Sequence, residues 1–399
     1  MNPSNSSNPL NSARKLPADP RASIPRESIP ALADNDYAYL NSGGSGPPTR
    51  DVVEAGRATD ELCLGEAYLQ GAAFFARQGE ANDRARGAAA RLVNADPGDL
   101  ALTQNTTHGM NLGIFSIDWR EGDEAISVSS EHPGCIAPLH EVEARFGAKL
   151  KLVDPPVTPE KIRAAMTPRT RMVALSHVDW TTGEELPLAE IAGIVREGGA
   201  LTLVDGAQSV GNISVDIPAT GTDLYAFTGH KWLLGPEGMG TLYVRPGSPV
   251  RSPNVGGASL ADGFDYEGSY SQHPGARRFE ASTTSPALAG GFAQAAEDAI
   301  RRGDAGPDGI RSRAELLMDM LDELPGVEIV SPRPVHSGLV SFTVSGVGSK
   351  EVADRLLEER LVVRFIPEPH PYVRASTHLF NTGEELEALT EAVGRLQTT

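Results

Sequence analysis

LTLVDGAQSVG (201–211) and LYAFTGHKWLLGPEGMGTLYV (224–244) decide how this chain folds. Each begins as a short, nearly continuous apolar run, as expected of a strand buried on both faces. Each run then meets a residue that apolar packing does not explain. The first ends on Asp205; the second runs into Thr228-Gly229-His230-Lys231-Trp232 and a glycine-rich return. The carboxyl ends of strands are where open α/β sheets bind ligands. Lysine is scarce in this chain: Lys15, Lys149, Lys151, Lys161, Lys231 and Lys350 are all there are. Only Lys231 stands between an apolar strand and a glycine-rich turn.

Outward from this pair the same rhythm continues. ALTQ (101–104), AISVSS (125–130), KLKLV (149–153), MVALSHV (172–178) and TLYV (241–244) are strand-like, and with LTLVD (201–205) and DLYAFTG (223–229) they make seven. Helical patterns lie between them at 107–117, 136–146, 159–165 and 188–197. This alternation predicts an α/β fold, a mostly parallel seven-stranded sheet between helices. A Gly-, Ser- and Pro-rich stretch over 247–286 breaks the rhythm. Beyond it the pattern predicts helices over 287–301 and 310–324, strands 327–330 and 339–344, a helix 350–360, a strand 361–365 and a last helix after Gly383. That is a smaller α+β unit. The expected organisation is an N-terminal arm (1–38), a large domain (39–285) and a small C-terminal domain (286–399).

Composition narrows the function. A net charge of −18 over 399 residues argues against nucleic acid, whose phosphates need a basic face. No run approaches the roughly 18 apolar residues a membrane helix needs. Cys63 and Cys135 are the only cysteines, with no CxxC pair, so no disulfide framework or oxidising compartment is expected. Residues 1–30, rich in Ser, Asn and Pro, lack an apolar signal core and read as a flexible or loosely packed arm. A cytoplasmic location follows by default. No HExxH or Cys/His cluster suggests a metal, and no GxGxxG or P-loop is present.

An isolated lysine after a strand ordinarily snorkels into solvent. Asp205 at a neighbouring strand end changes the reading. A lysine desolvated there loses affinity for its proton, from an ordinary value of about 10.4, and becomes a nucleophile. An Asp on a pyridine nitrogen and a Lys on the aldehyde carbon are what proteins contribute to pyridoxal 5'-phosphate (PLP) chemistry. A hydrolase reading of AQSVG (207–211) as a nucleophile elbow around Ser209 leaves GHKW and RFEAST unexplained. A non-catalytic relative would be expected to lose Lys231 or Asp205.

The motifs YLNSGGSGPP (39–48), NTTHG (105–109), SSEHPG (129–134), VDGAQSVG (204–211), TGHKW (228–232), RFEASTT (278–284) and RASTHLFNT (374–382) resemble those of class V aminotransferase-like enzymes of PLP fold type I. That family includes cysteine desulfurases, selenocysteine lyases, isopenicillin N epimerase and cysteine/cystine C–S lyases. SHVDWTTGEELPLAEI (176–191), YAFTGHKW and GLVSFTV most resemble the cyanobacterial-type C–S lyases. The resemblance implies that Lys231 anchors PLP and serves as general base. It implies that His132 stacks on the ring, Asp205 holds the ring nitrogen and Gln208 bonds the phenolic oxygen. Thr106, Thr107, Thr228 and His230 would cup the phosphate, and Thr283 would reach the phosphate of a neighbouring subunit, which makes a homodimer with shared sites. Arg374 would take the α-carboxylate of an amino-acid substrate, and Asn41, with the turn after it, would fold over that substrate.

Two departures refine the expectation. The loop RFIPEPHPYVRAS (364–376) lacks the cysteine on which desulfurases carry sulfur, so a persulfide relay is not expected. Trp180 stands where desulfurases have an asparagine that contacts the cofactor's phenolic oxygen, and is expected with Arg374 and Asn41 among the substrate-binding residues. The expected reaction is β-elimination at the Cβ–S bond of a cysteine- or cystine-type amino acid, with epimerase, transaminase or oxidative chemistry as alternatives.

Overall fold

The computed structural model describes residues 16–262 and 264–396. All seven expected strands form: Leu100–Thr103 (β1), Glu124–Val128 (β2), Lys149–Val153 (β3), Thr170–Ser176 (β4), Leu201–Asp205 (β5), Leu224–Thr228 (β6) and Gly240–Val244 (β7). They make one sheet in the order β1-β7-β6-β5-β4-β2-β3. From β6 to β3 every pairing is parallel, while β7 runs antiparallel to both β6 and β1.

The main helices are Arg50–Leu64 (α1), Ala72–Leu92 (α2), Thr106–Ile114 (α3), Pro133–Phe146 (α4), Pro159–Ala165 (α5), Leu188–Glu197 (α6), Pro286–Arg302 (α7), Ala305–Asp322 (α8), Ser349–Glu358 (α9) and Gly383–Arg395 (α10). Successive strand residues point to opposite faces, which builds a core on each side of the sheet. Val173, Val204, Tyr225 and Phe227 face α2, α6 and α7. Met172, Leu203, Leu224 and Ala226 face α3 and α4. Both faces are covered, which is why these strands read as unbroken apolar runs.

Four expectations change. Helices α1 and α2 are not among the expected elements; the apolar face of α1 buries Val52, Gly56 and Cys63. The buried face of α2 is mostly alanine (Ala81, Ala85, Ala88, Ala89, Ala90) around Arg86, which pairs with Glu280 at 2.9 Å. The small domain expected over 286–399 opens with α7, whose Ala289, Phe292, Ala293 and Ala296 pack into the large core. The arm is not loosely packed over 20–33. Ala22, Ile24, Ile29 and Leu32 are buried, and Ile24 N–H donates to Leu379 O at 3.0 Å; residues 1–15 of the arm lie outside the described residues. Finally, the strand expected over 361–365 divides at Val363: Leu361–Val362 pairs in parallel with Ala38–Tyr39, and Arg364–Phe365 joins the C-terminal sheet.

That sheet consists of Val327–Ile329 (β8), Leu339–Val344 (β9), Arg364–Phe365 (β10) and Val373–Ser376 (β11), antiparallel in the order β8-β9-β11-β10. It stacks on α8, α9 and α10 through Leu317, Leu321, Phe342, Val352, Leu386 and Leu389. The segment from Ala38 to Gly46 crosses from this unit to the large sheet. No helix among the described residues is long and apolar enough to cross a membrane.

Candidate active site

Strand order puts a switch point between β2 and β4, since the chain leaves β2 outward to β3 and returns across it to β4. Such points leave a crevice at the carboxyl ends of the strands. A cavity of about 280 Å³ opens there. Thr106, Thr107, His132, Trp180, Asp205, Gln208, Thr228, His230, Lys231 and Arg374 all line it, from six separate segments of chain. Gly43, Gly44, Asn105, Ala207 and Arg364 complete the wall.

Lys231 lies on the return from β6 to β7. Its accessible part faces the cavity, and burial lowers its pKa to about 8, against the opposing pull of the Asp205 carboxylate. Leu234, three residues on, is buried with φ +56°, a left-handed conformation that bulky side chains rarely adopt. That bend carries the chain back into antiparallel β7. Asp205 is the last residue of β5, and its Oδ1 accepts the Ala207 N–H at 2.9 Å. Burial pushes its pKa up, while the Ala207 hydrogen bond and the Lys231 charge oppose this.

His132 is the N-cap of α4: its Nδ1 accepts the Gly134 N–H at 3.0 Å, which leaves the ring proton on Nε2. Burial, with the charges of Lys231, Arg364 and Arg374, lowers its pKa to about 4, so the ring is neutral at pH 7. Capping also explains why α4 starts at Pro133 rather than at the expected 136. Trp180 meets the His132 ring edge-on with centroids 5.1 Å apart, and its indole N–H donates to Ser130 O at 2.7 Å.

Helix α3 begins at Thr106, one residue earlier than expected, and ends at Ile114, three residues short of the expected 117. Asn105 is its cap, with Oδ1 accepting the His108 N–H at 2.9 Å. Thr106 and Thr107 are therefore free of capping. The Thr106 hydroxyl is buried without a partner, beside first-turn N–H groups that favour an anion. Opposite, Thr228 Oγ1 lies 2.7 Å from His230 Nδ1. Gln208 is already partly engaged: it accepts the Trp232 indole N–H at 2.8 Å and donates to Gly43 O at 2.9 Å. One amide hydrogen remains for a ligand.

Arg374, on β11, is 1% exposed and donates through Nη1 to Trp180 O at 2.5 Å. Its Nε and Nη2 are buried with no partner. Burial and neighbouring Arg364 lower its pKa to about 9, with Asp179 opposing. A buried guanidinium short of a counter-ion is a strong site for a carboxylate. Arg364, which sequence reasoning missed, lies opposite Arg374 in the β10–β11 register, and its side chain makes no hydrogen bond or ion pair among the described residues. The signal for it was its position in the loop that closes with Arg374.

Two expected residues stand apart. Asn41 lies behind the wall, its buried Oδ1 unpartnered and close against Gly44, so that Gly43 and Gly44 face the cavity in its place. Thr283 is exposed in a different surface recess, beside Phe75 and Gly257. Ser209, the centre of the hydrolase alternative, is fully buried outside the cavity. Among the described residues no cluster of His, Cys, Asp and Glu could hold a metal.

Residues 38–389 match the family described as Aminotransferase class-V. Among curated proteins, a probable cysteine desulfurase of Xylella fastidiosa is 32% identical over 79% of this chain and 80% of its own. The isopenicillin N epimerase of Streptomyces clavuligerus is 31% identical over 92% of this chain and 96% of its own. Among solved structures, the cystine C–S lyase C-DES with its product cysteine persulfide superposes with a TM-score of 0.83 at 33% identity, covering 92% of this chain and 99% of that one. A C-DES mutant with glycine covalently linked to its PLP cofactor gives 0.84 at 31%, covering 93% and 99%. The fold is that of PLP fold type I, and the chain belongs to the aminotransferase class-V family of PLP-dependent enzymes.

Proposed function

We propose that this enzyme is a carbon–sulfur lyase that cleaves the Cβ–S bond of cystine-type amino acids. The family implies PLP, and the cavity fits it. The unpartnered Thr106 hydroxyl and the start of α3, with Thr107, Thr228 and His230, would hold the phosphate. Asp205 would accept the ring N–H, neutral His132 would lie against the ring, and Gln208 would use its remaining amide hydrogen on the phenolic oxygen.

Bound PLP supplies an electron sink for the pair left on Cα when its proton is removed. The protein does the rest. Lys231 Nζ, anchor of the cofactor in the resting enzyme, takes the Cα proton; a pKa near 8 suits it to both tasks. Arg374 grips the α-carboxylate with its two free nitrogens and so sets which bond at Cα faces Lys231. The Cβ–S pair leaves with sulfur. With cystine and one water, the products are pyruvate, ammonia and cysteine persulfide. Neither cysteine lines the cavity, so the persulfide departs with the product.

The observation that carries the choice of substrate is the second arginine. Arg364 gives the cavity mouth an unpaired cation that a monocarboxylate leaves idle and the distal carboxylate of cystine uses. An epimerase is the second reading, because the isopenicillin N epimerase match spans 92% of the chain. A panel of L-cystine, L-cysteine and L-amino acids without a β-sulfur, scored for pyruvate, sulfane sulfur, keto acid and inverted amino acid, separates them. We expect pyruvate with L-cystine, and a KM for cystine raised roughly tenfold in Arg364→Ala, as for one charged hydrogen bond. Inverted amino acid without pyruvate overturns the lyase reading in favour of epimerisation.

We also propose a homodimer in which Thr283 of one subunit reaches the phosphate site of the other, in keeping with its exposure away from its own cavity.

A further inference from the structure

Glu131 precedes His132 on the turn leaving β2, yet its side chain folds back beneath the cavity and is only 8% exposed. Oε2 accepts the Ser176 N–H at 2.6 Å; Oε1 accepts the Ser176 hydroxyl at 2.5 Å and the His132 N–H at 2.9 Å. Among the described residues no Lys, Arg or His side chain bonds to it. Ser176 is the last residue of β4 and is in register with Asp205 on β5. Two acids from neighbouring segments are thus buried side by side under one cavity.

This arrangement is costly unless used. A buried acid without a cation pays for desolvation, a cost that a neutral amide in its place would avoid. The three donors, however, match an acceptor-only group, the ionised carboxylate. Against ionisation stand burial, the charge of Asp205 and that of Asp179, which together raise the Glu131 pKa. The other titratable neighbours do not relieve this. Cys135 on α4 has its thiol pushed up by burial, Glu131 and Asp205, and His132 on the same turn is neutral. The Lys231 ammonium offsets part of the opposition at Asp205, and a further positive charge set against Asp205 would offset more of it.

We propose that Glu131 is a positioning residue that lends its negative charge to Asp205, and so helps hold a proton on the ring nitrogen of the cofactor. The inference rests on the PLP reading above. Without the cofactor the Asp205 charge opposes ionisation of Glu131. A protonated ring nitrogen against Asp205 offsets that repulsion, and Glu131 ionises. Its charge then adds to that of Asp205 in keeping the ring protonated, the state in which the ring best accepts electrons. The neighbouring His132 N–H contact places the stacking ring, but that contact alone has no bearing on the ring proton.

The test is the nitrogen resonance of ring-15N PLP bound to the full-length protein, followed against pH. In Glu131→Gln, which keeps the size of the side chain and an acceptor for Ser176, the midpoint of ring deprotonation should fall by about one pH unit, a tenfold loss of proton affinity. In Ser176→Ala, which removes one donor that favours the Glu131 anion, it should fall by less. If Glu131→Gln does not load, Ser176→Ala decides alone. An unchanged midpoint in a loaded variant overturns the proposal and leaves the PLP reading standing. Failure of the unaltered protein to take up PLP at all overturns both, and is seen directly as the absence of a bound resonance.

Discussion

Lys231 has unusual chemistry because of what surrounds it. A lysine in water holds its proton until about pH 10.4. Here the walls from β5, β6 and β11 strip water from Nζ, and Arg374 and Arg364 add like charge. Asp205 alone pulls the other way, and desolvation wins. Only the neutral amine attacks an aldehyde, so the rate at which the cofactor-free protein takes up PLP should rise with pH through about 8 and level off above it. Stopped-flow growth of the visible band from pH 6 to 10 measures this. Asp205→Asn removes the one charge that favours the ammonium, so its midpoint should move lower still. A midpoint near that of free lysine would contradict the desolvation argument.

At the scale of elements, the site depends on how closely the N-terminal crossing segment lies against the lysine turn. Gly46 N–H donates to His230 O at 2.7 Å. A Cβ on Gly46 would sit 2.0 Å from the Lys231 carbonyl oxygen and 2.6 Å from a Leu234 methyl. The first obstacle is backbone, on a turn already bent through the left-handed conformation at Leu234, so neither side can yield cheaply. Gly46→Ala should cost about 1–3 kcal/mol in urea unfolding, as overpacking does. It should also weaken PLP affinity, read from equilibrium titration of the visible band, because the Lys231 peptide must shift. An alanine variant of unaltered stability and affinity would mean that the segment gives way elsewhere.

At the scale of the whole molecule, apolar side chains stand exposed in two segments, and Phe75 of the first shares a recess with Thr283. Leu62, Leu64, Tyr68, Leu69 and Phe75 are all more than half exposed, and Phe264, Tyr266 and Tyr270 stand out of the 255–270 stretch. Apolar exposure concentrated in two segments marks an interaction face. The proposed homodimer covers it with a second copy and carries Thr283 to the partner's cavity. Complementation tests this. Lys231→Ala and Thr283→Ala subunits should each be impaired as homodimers, whereas a mixed dimer contains one site with both residues intact. Mixing after dissociation should restore up to half of the activity per mixed dimer. No restoration in verified mixed dimers would show that the sites are not shared.

Sequence alone determined the large sheet, because strands buried on both faces must be nearly all apolar, and such runs are legible without knowing what covers them. It also pointed to Asp205 and Lys231, since a charged residue at the end of an apolar strand conflicts with its surroundings. Alanine-faced α2, Arg364 and Glu131 left no comparable mark. Alanine, surface arginine and a turn glutamate are common, and what distinguishes these three is the company that distant segments bring to them. Only the tertiary structure decided that α7 belongs to the large core, that Gln208 is half engaged, and that Glu131 lies buried beside Asp205. Desolvation, charge coupling and shared hydrogen bonds are properties of neighbours in space, and here those neighbours lie on separate strands and turns.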